Sequence, residues 1–212
     1  MVQKNETALF IKFTFDKIVA VVLLIITSPI FLWVAIHLKI MGEDVFYLQK
    51  RVGYLGQDFL TYKFTTMPKG SEKLGLITTK NDERPFKFGK FMRKTKINEL
   101  PQLINVLKGE MSFIGPRPLL RSQISEVLSD AEIVEYYLMR PGITGAGSLC
   151  YHHEDALLAE VDDPHQYYRE VIIPKKFDLE KEYAANWNLV LDLKILLKTF
   201  IVLVIPTCCQ KD

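Results

Sequence analysis

The sequence predicts an α-rich α+β fold: an N-terminal re-entrant membrane helix-break-helix over residues 1–41, then a small cytoplasmic globular domain over 42–212. That domain carries a short β-hairpin and interfacial amphipathic helices. Three observations predict this. Ile18 to Leu38 holds no Asp, Glu, Lys or Arg and meets the roughly 20-residue length that crosses a hydrocarbon core. Aromatic and β-branched segments flank the turn at Gly53 to Gly56, as in a hairpin. The segments around 86–108 and 188–206 carry helical periodicity. With 212 residues, 49% of them apolar, the chain is long enough to bury a core as one domain with an appended element.

The membrane run is too long for the core of a signal peptide. Pro29 lies near its middle, where it lacks an N–H and crowds the carbonyl of Ile25, so a kink or break is expected. Ser28 can hydrogen-bond a freed carbonyl. Lys4, Lys12 and Lys17 precede the run, while Lys39, Lys50 and Arg51 follow it. Two geometries fit, a kinked helix that spans or a hairpin that enters one leaflet and returns; the charge asymmetry of a simple span is absent, which favours both ends on the cytoplasmic side. A buried helix hairpin in a soluble domain is the competing reading.

Residues 43–67 read as the hairpin, Pro68 to Gly75 as a polar loop, and residues 86–108 as a helix in two pieces. Another helical stretch occupies 119–138. Residues 154–170, acidic and aromatic with Pro164 between, suggest helices around a loop. In the segment Asn188 to Pro206, Leu189, Leu193, Leu196, Leu197 and Phe200 share one helical face, with Lys194 and Lys198 on the other side. That face could lie among lipid headgroups or pack on the protein's own core.

A net charge of +2 despite 27 Lys plus Arg gives no argument for nucleic acid as a partner. Cys150, Cys208 and Cys209 have no disulfide-framework spacing and fit a reducing compartment as unreactive thiols. There is no P-loop, dinucleotide fingerprint or zinc-ligand spacing, and the pair His152-His153 lacks a second ligand pair.

The chemistry gathers between Lys87 and Pro118. Leu100, Leu103, Ile104 and Leu107 form a helical stripe that Gly109 ends. Pro101 is compatible only with the first turn of that helix. Asn98 is then an N-cap candidate, with Glu99 beside the positive end of the dipole, a setting suited to phosphate or a metal-bound phosphate. Capping alone would explain both residues equally well. In Gly115-Pro116-Arg117-Pro118 the two prolines stiffen a loop that presents a bidentate guanidinium suited to phosphate. Lys87, Lys90, Arg93 and Lys94 form a basic cluster just upstream, readable also as a solvated face. Arg140 stands beside a turn whose glycines, Gly142 and Gly145, permit close backbone approach to a ligand.

Taken in order, the membrane run with Ser28-Pro29, then FYLQKRVG, YKFTTM, FGKFMRKT, ELPQLINVLKGEMSFIGPRPLL, RPGITG and LDLKILLKT cover most of the chain. They resemble the bacterial sugar transferases of the monotopic polyprenol-phosphate phosphoglycosyl transferase family. The resemblance implies an enzyme of the bacterial inner membrane, with its catalytic domain on the cytoplasmic face and a Ser-Pro-broken helix re-entering one leaflet. It implies transfer of a phospho-sugar from a UDP-sugar to a polyprenol phosphate, usually undecaprenyl phosphate, with release of UMP and with Mg²⁺ as cofactor. Such a product starts a lipid-linked glycan of capsule, O-antigen, exopolysaccharide or glycoprotein, and is passed to downstream glycosyltransferases. The lipid bilayer is a partner, and a homodimer is a candidate assembly. By the same resemblance Asn98 and Glu99 are the catalytic and metal-holding dyad. Arg93, Arg117 and Lys63 bind substrate phosphates, and Gln102, Pro116, Arg140 and Asp192 support them.

The sequence departs from that family at the dyad, where relatives carry Asp-Glu and the Asp attacks the β-phosphorus to form a covalent phospho-sugar intermediate. An amide cannot supply the carboxylate oxygen of an acyl phosphate. Three readings follow: direct attack by the polyprenol phosphate with Asn98 and Glu99 holding Mg²⁺ and diphosphate; Glu99 as the nucleophile; or a natural or engineered substitution that leaves a disabled membrane scaffold. A phosphate is already largely dianionic at pH 7, which favours the first. Thr65 is a second departure, since many relatives have Arg there.

Overall fold

The computed structural model describes residues 6–71 and 83–204. The part of the expected Pro68 to Gly75 loop beyond Ser71, together with Lys4, Pro206, Cys208 and Cys209, lies outside the described residues.

Helix α1 runs from Glu6 to Ile40 with Pro29 inside it. The expected interruption at Ser28-Pro29 does not end the helix. Pro29 deprives the Ile25 carbonyl of its N–H partner, and the Ser28 hydroxyl donates to that carbonyl at 2.8 Å. The preceding residue, Thr27, also donates its Oγ1 to Leu23 O at 2.6 Å. The Ser28 hydroxyl thus substitutes locally for the missing amide.

One stripe of α1 packs on the domain. Ala20, Leu23 and Leu24 meet Leu103, Val106 and Met111, while Phe31, Val34 and Leu38 meet Phe64 and Met92. The opposite side is apolar and exposed along its length, with Phe10 at 71%, Ile25 at 68% and Ile40 at 80% accessible. Between the two docked stretches, Ile25, Ile26, Ser28, Pro29 and Ile30 are all exposed. The middle of the helix therefore has far less contact with the domain than either flank.

Strands β1 (Phe46–Val52) and β2 (Asp58–Phe64) form the expected antiparallel hairpin, with Phe46 opposite Phe64 and Val52 opposite Asp58. Helix α2 (Lys87–Lys94) and α3 (Gln102–Lys108) are the two helical pieces of the next segment. A second, parallel pair of strands, β3 (Ser112–Ile114) and β4 (Gly142–Thr144), was not legible as strand pattern. At three residues each, they are too short to show alternation.

Between β3 and β4 lie α4 (Arg121–Ile124) and α5 (Asp130–Tyr136). Ser129 and Glu132 close a capping box on α5. Small helices α6 (Ala146–Cys150), α7 (Glu154–Leu157) and α8 (Pro164–Tyr167) follow. A π-helical turn over Tyr168–Ile172 then leads into α9 (Ile173–Asn186), and α10 (Leu189–Val204) follows α9. Pro164 opens α8, consistent with its missing N–H costing nothing at a first turn.

The stripe expected on α10 faces outward, with Leu193 at 55% and Phe200 at 65% accessible. Its inward side is Asp192, Ile195 and the half-buried Leu191 and Thr199. Asp192 is a buried hub: Oδ2 receives Lys12 Nζ at 2.6 Å and Trp187 Nε1 at 3.1 Å, and Oδ1 receives Tyr183 Oη at 2.6 Å. It joins α1, α9 and α10. One turn along α1, Asp16 accepts from Ser112 Oγ of β3 at 2.6 Å.

Replacing one partner of a buried ion pair strands the other charge, at a cost of about 3–5 kcal/mol. Asp192→Asn should therefore lower the melting temperature of the purified protein sharply, and adding Lys12→Met should recover a large part of the loss. A melting temperature unchanged in Asp192→Asn would remove the hub from the account of stability.

Candidate active site

Asn98 and Glu99 sit in a 3₁₀ turn over Ile97–Glu99, separate from α3. The reason is Pro101, which has no N–H to give the Ile97 carbonyl, so the chain closes with tighter bonds, Glu99 N to Lys96 O at 3.0 Å and Leu100 N to Ile97 O at 3.1 Å. Pro101 itself occupies the cap position of α3. The expectation that Asn98 caps that helix is thus corrected. Its side chain is buried and its Oδ1 has no hydrogen-bond partner. Lys96, in the left-handed region at φ 60, turns the chain into the dyad.

The stripe on α3 also differs from its sequence reading. Leu103 is buried as expected, but Leu107 is exposed and Asn105 is fully buried. Asn105 Nδ2 donates to Leu60 O and to Glu110, each at 2.7 Å, while its Oδ1 accepts from Tyr62 N at 3.0 Å. This amide pins α3 to β2. Gly109 ends α3 at φ 80, in the left-handed conformation that glycine adopts freely.

A cleft of about 580 Å³ opens over the dyad. Lys63 reaches it from β2, Arg51 from β1, Arg93 from the last turn of α2 and Arg117 from the loop after β3. Glu99 Oε1 lies 3.5 Å from Lys63 Nζ and 3.8 Å from Arg117 Nη2. Burial alone would push the Glu99 carboxyl up. Lys63, then Arg117, Lys96 and Arg51, outweigh it and hold the group down at about 2. For Lys63 burial is the largest influence and lowers the ammonium; Glu99 opposes this, Arg51, Arg117 and Arg93 add to it, and the result is about 7. Arg51 is lowered to about 10 by burial and then by Arg117, and remains charged at neutral pH.

Arg117 is held by its loop. Tyr137 Oη donates to Arg117 O at 3.1 Å and accepts from Leu119 N at 2.8 Å, while Arg51 Nη1 donates to Pro118 O at 2.6 Å. Arg93 Nε donates to Thr66 Oγ1 at 3.0 Å. Thr65, also facing the cleft, has a buried Oγ1 with no partner.

Of the residues expected from sequence, Lys63, Arg93, Asn98, Glu99 and Arg117 converge on this cleft. Others do not line it. Arg140 lies over the Phe13 ring at 3.8 Å, fastening the approach to β4 onto α1. Asp192 is the hub described above, Gln102 and Pro116 are buried beneath the surface, and Ser28 and Pro29 belong to α1. Gly142 and Gly145 were expected to admit a ligand. Instead they admit backbone: a Cβ on Gly142 would stand 2.2 Å from Gly115 N, and one on Gly145 would stand 2.1 Å from Gly115 O. Arg51 escaped the sequence reading because an arginine in a two-stranded hairpin ordinarily points into solvent.

Among the described residues no three His, Cys, Asp or Glu side chains converge into a ready metal cage. The unpartnered amide oxygen of Asn98 and the carboxylate of Glu99 are hard oxygen donors. They fit an ion such as Mg²⁺, which takes one or two protein oxygens and completes its shell with waters and substrate phosphates.

Residues 7–206 match the family model described as bacterial sugar transferase. The undecaprenyl-phosphate galactose phosphotransferase of Salmonella typhimurium is 34% identical, over 92% of this chain and 40% of that protein. The uncharacterized sugar transferase EpsL of Bacillus subtilis is 37% identical over 90% of this chain and 86% of its own length. The exopolysaccharide production protein ExoY of Rhizobium meliloti is 34% identical over 93% and 85%. The chain thus spans less than half of the Salmonella relative and most of the two smaller ones. With nearly every described residue inside the match and the cationic cleft built from its motifs, the chain belongs to the bacterial sugar transferase family.

Proposed function

We propose that this chain is a phosphoglycosyl transferase that moves a sugar-1-phosphate from a UDP-sugar to a polyprenol phosphate and releases UMP. The observation that carries this reading is the Glu99 carboxylate, clamped between Lys63 and Arg117 in a cleft further lined by Arg51 and Arg93. Such a concentration of guanidinium and ammonium groups suits a diphosphate, whose charge it neutralises. The names of relatives support the acceptor and the leaving group: undecaprenyl-phosphate galactose phosphotransferase in Salmonella and UDP-glucose:undecaprenyl-phosphate glucose-1-phosphate transferase in Xanthomonas campestris.

The mechanism follows from what the dyad can hold. Asn98 has no carboxylate, and Glu99, held near 2 by its cations, is committed to electrostatics and is a poor nucleophile. The acceptor's own phosphate oxygen therefore attacks the β-phosphorus. One P–O bond forms there, the bond to the bridging oxygen breaks, and the electron pair leaves on UMP. Arg117 and Arg93 neutralise the charge on the equatorial and leaving oxygens, and Lys63 binds the diphosphate as an ammonium. Mg²⁺, held by Asn98 Oδ1 and Glu99, would add charge neutralisation at the same phosphates. The second reading, a scaffold without chemistry, rests on Asn98 alone.

The membrane arrangement we propose is monotopic, with α1 entering one leaflet and the domain on the cytoplasmic face. Both flanks of α1 pack on the same globular domain, which a perpendicular crossing would force into hydrocarbon. The less-contacted middle, Ile25 to Ile30, is the part free to go deepest.

Full-length protein in detergent or nanodiscs should release UMP only when UDP-sugar, polyprenol phosphate and Mg²⁺ are all present, and its intact mass should not change with UDP-sugar alone. A phospho-sugar adduct on the wild type would eliminate direct attack, and absence of UMP across a panel of UDP-sugars would favour the scaffold. Asn98→Asp restores a carboxylate at that position, and mass spectrometry should then detect the phospho-sugar adduct in the absence of acceptor. If the variant stays unmodified, the position does not reach the β-phosphorus.

The pH dependence has a defined sign. Free Lys63 titrates at about 7, below the ordinary 10.5, and a bound diphosphate favours its protonated form. Binding therefore takes up a proton above pH 7, and UDP affinity should fall between pH 7 and 9, by at most about tenfold per unit. Lys63→Arg, which stays protonated, should flatten that dependence in isothermal titrations; an equally steep profile in the variant would reassign the titrating group.

A further inference from the structure

The cleft has a second charged end that the phosphate chemistry does not use. Glu154, at the start of α7, and Tyr168, in the π-helical turn, line the cleft on the side of Leu119, Leu120 and Gln123. The Glu154 carboxylate receives Lys176 Nζ in a short contact. Lys176 is 1% exposed, and its ammonium lies 5.6 Å from the ring centre of Tyr151 and 5.5 Å from that of Tyr168. Glu154 retains access to the cleft, its side chain being 24% exposed. A buried lysine thus fixes a partly exposed carboxylate that lines the cleft together with an aromatic residue.

Tyr168 lines the same cleft as Glu154, Arg51 and Arg117. Burial pushes its hydroxyl up, Glu154 adds to the shift, and Arg117 and Arg51 oppose it. Arg117 is in turn the partner of Glu99 at 3.8 Å. A group attached to a phosphorus at the dyad would share the cleft with Glu154 and Tyr168, which Arg93, Pro68 and Lys69 also line.

We propose that Glu154 and Tyr168 form the subsite for the hexose of the donor, with the Glu154 carboxylate accepting hydrogen bonds from adjacent sugar hydroxyls and the Tyr168 ring lying against the sugar's C–H face. Lys176 is a positioning residue, holding the carboxylate in place through its ion pair. The chemistry fits: an ionised carboxylate accepts two hydroxyl donors at once, and bonds to a charged acceptor discriminate strongly against a hydroxyl of the wrong configuration. This inference rests on the donor being a UDP-sugar.

The test is competition binding of UDP, UDP-glucose, UDP-galactose, UDP-N-acetylglucosamine and UDP-N-acetylgalactosamine to the detergent-solubilised full chain, in wild type, Glu154→Gln and Tyr168→Phe, with Glu154→Gln/Lys176→Met as a charge-balanced companion. The preferred UDP-sugar should lose about tenfold to a hundredfold in affinity in Glu154→Gln and in the double variant, the range expected for hydrogen bonds to a charged group. UDP should change less than twofold. Tyr168→Phe, which keeps the ring, should cost less than either. Where Glu154→Gln does not fold, the double variant decides by the same ratio. Equal losses for UDP and UDP-sugar would make Glu154 a nucleotide or structural contact, and unchanged affinity for every sugar would dismiss the subsite; either outcome overturns the proposal. Wild-type protein that binds no UDP at all would instead defeat the donor assignment itself.

Discussion

Everything in the cleft depends on a carboxylate that is nearly buried and still ionised. Glu99 is tolerable in that position only because Lys63 from the hairpin and Arg117 from the proline-bounded loop approach it together. Three chain segments that share no secondary structure are thereby held to one another by charge. The same arrangement leaves a surplus of positive charge, with Arg51 and Arg93 facing the cleft alongside. A cleft lined by more cations than anions favours a diphosphate over a neutral ligand.

The rigidity of the site comes from close backbone approach. Gly115, Gly142 and Gly145 let β3 and β4 approach until no side chain fits between them, and Tyr137 Oη bridges Arg117 O and Leu119 N just beyond. Arg117 therefore projects from a fixed platform, which lowers the entropy lost when a phosphate is gripped. Lys63 is positioned by a strand, Arg93 by the end of a helix, and the dyad by a turn that a left-handed lysine and a proline define.

The membrane run, the hairpin and the Gly109 helix stop were legible because each is written in local composition: length without charge, turn residues between β-branched runs, a glycine after a periodic stripe. The convergence of Lys63, Arg93, Glu99 and Arg117 was legible only through likeness to a family, since those residues lie on different elements and no spacing connects them. What escaped depends on distant partners. A helix reading PKKFDLEKEY gives no sign that Lys176 and Glu180 are buried, because the carboxylate that neutralises Lys176 and the Gly147 amide that Glu180 accepts from belong to other elements. Arg140 and Asp192, expected as supporting residues, do not line the cleft and anchor α1 through Phe13 and Lys12. The cap role given to Asn98 failed through one backbone detail, the amide hydrogen that Pro101 does not have.

The clasp between Lys12 and Asp192 spans 180 residues of chain. During synthesis the lysine emerges first, on an apolar helix, and its counter-charge arrives only when nearly the whole domain has been made. In the proposed monotopic arrangement the Lys12 ammonium would until then favour the water-facing edge of the bilayer, which would restrain how deeply that part of α1 sinks. Docking of α10 is consequently the closing event of assembly, a long-range contact whose loop entropy is lost only after the local elements have formed. In that proposed arrangement a ribosome-bound chain lacking α10 would hold its first helix in a shallower position than the finished protein, coupling the depth of insertion to the completion of the fold.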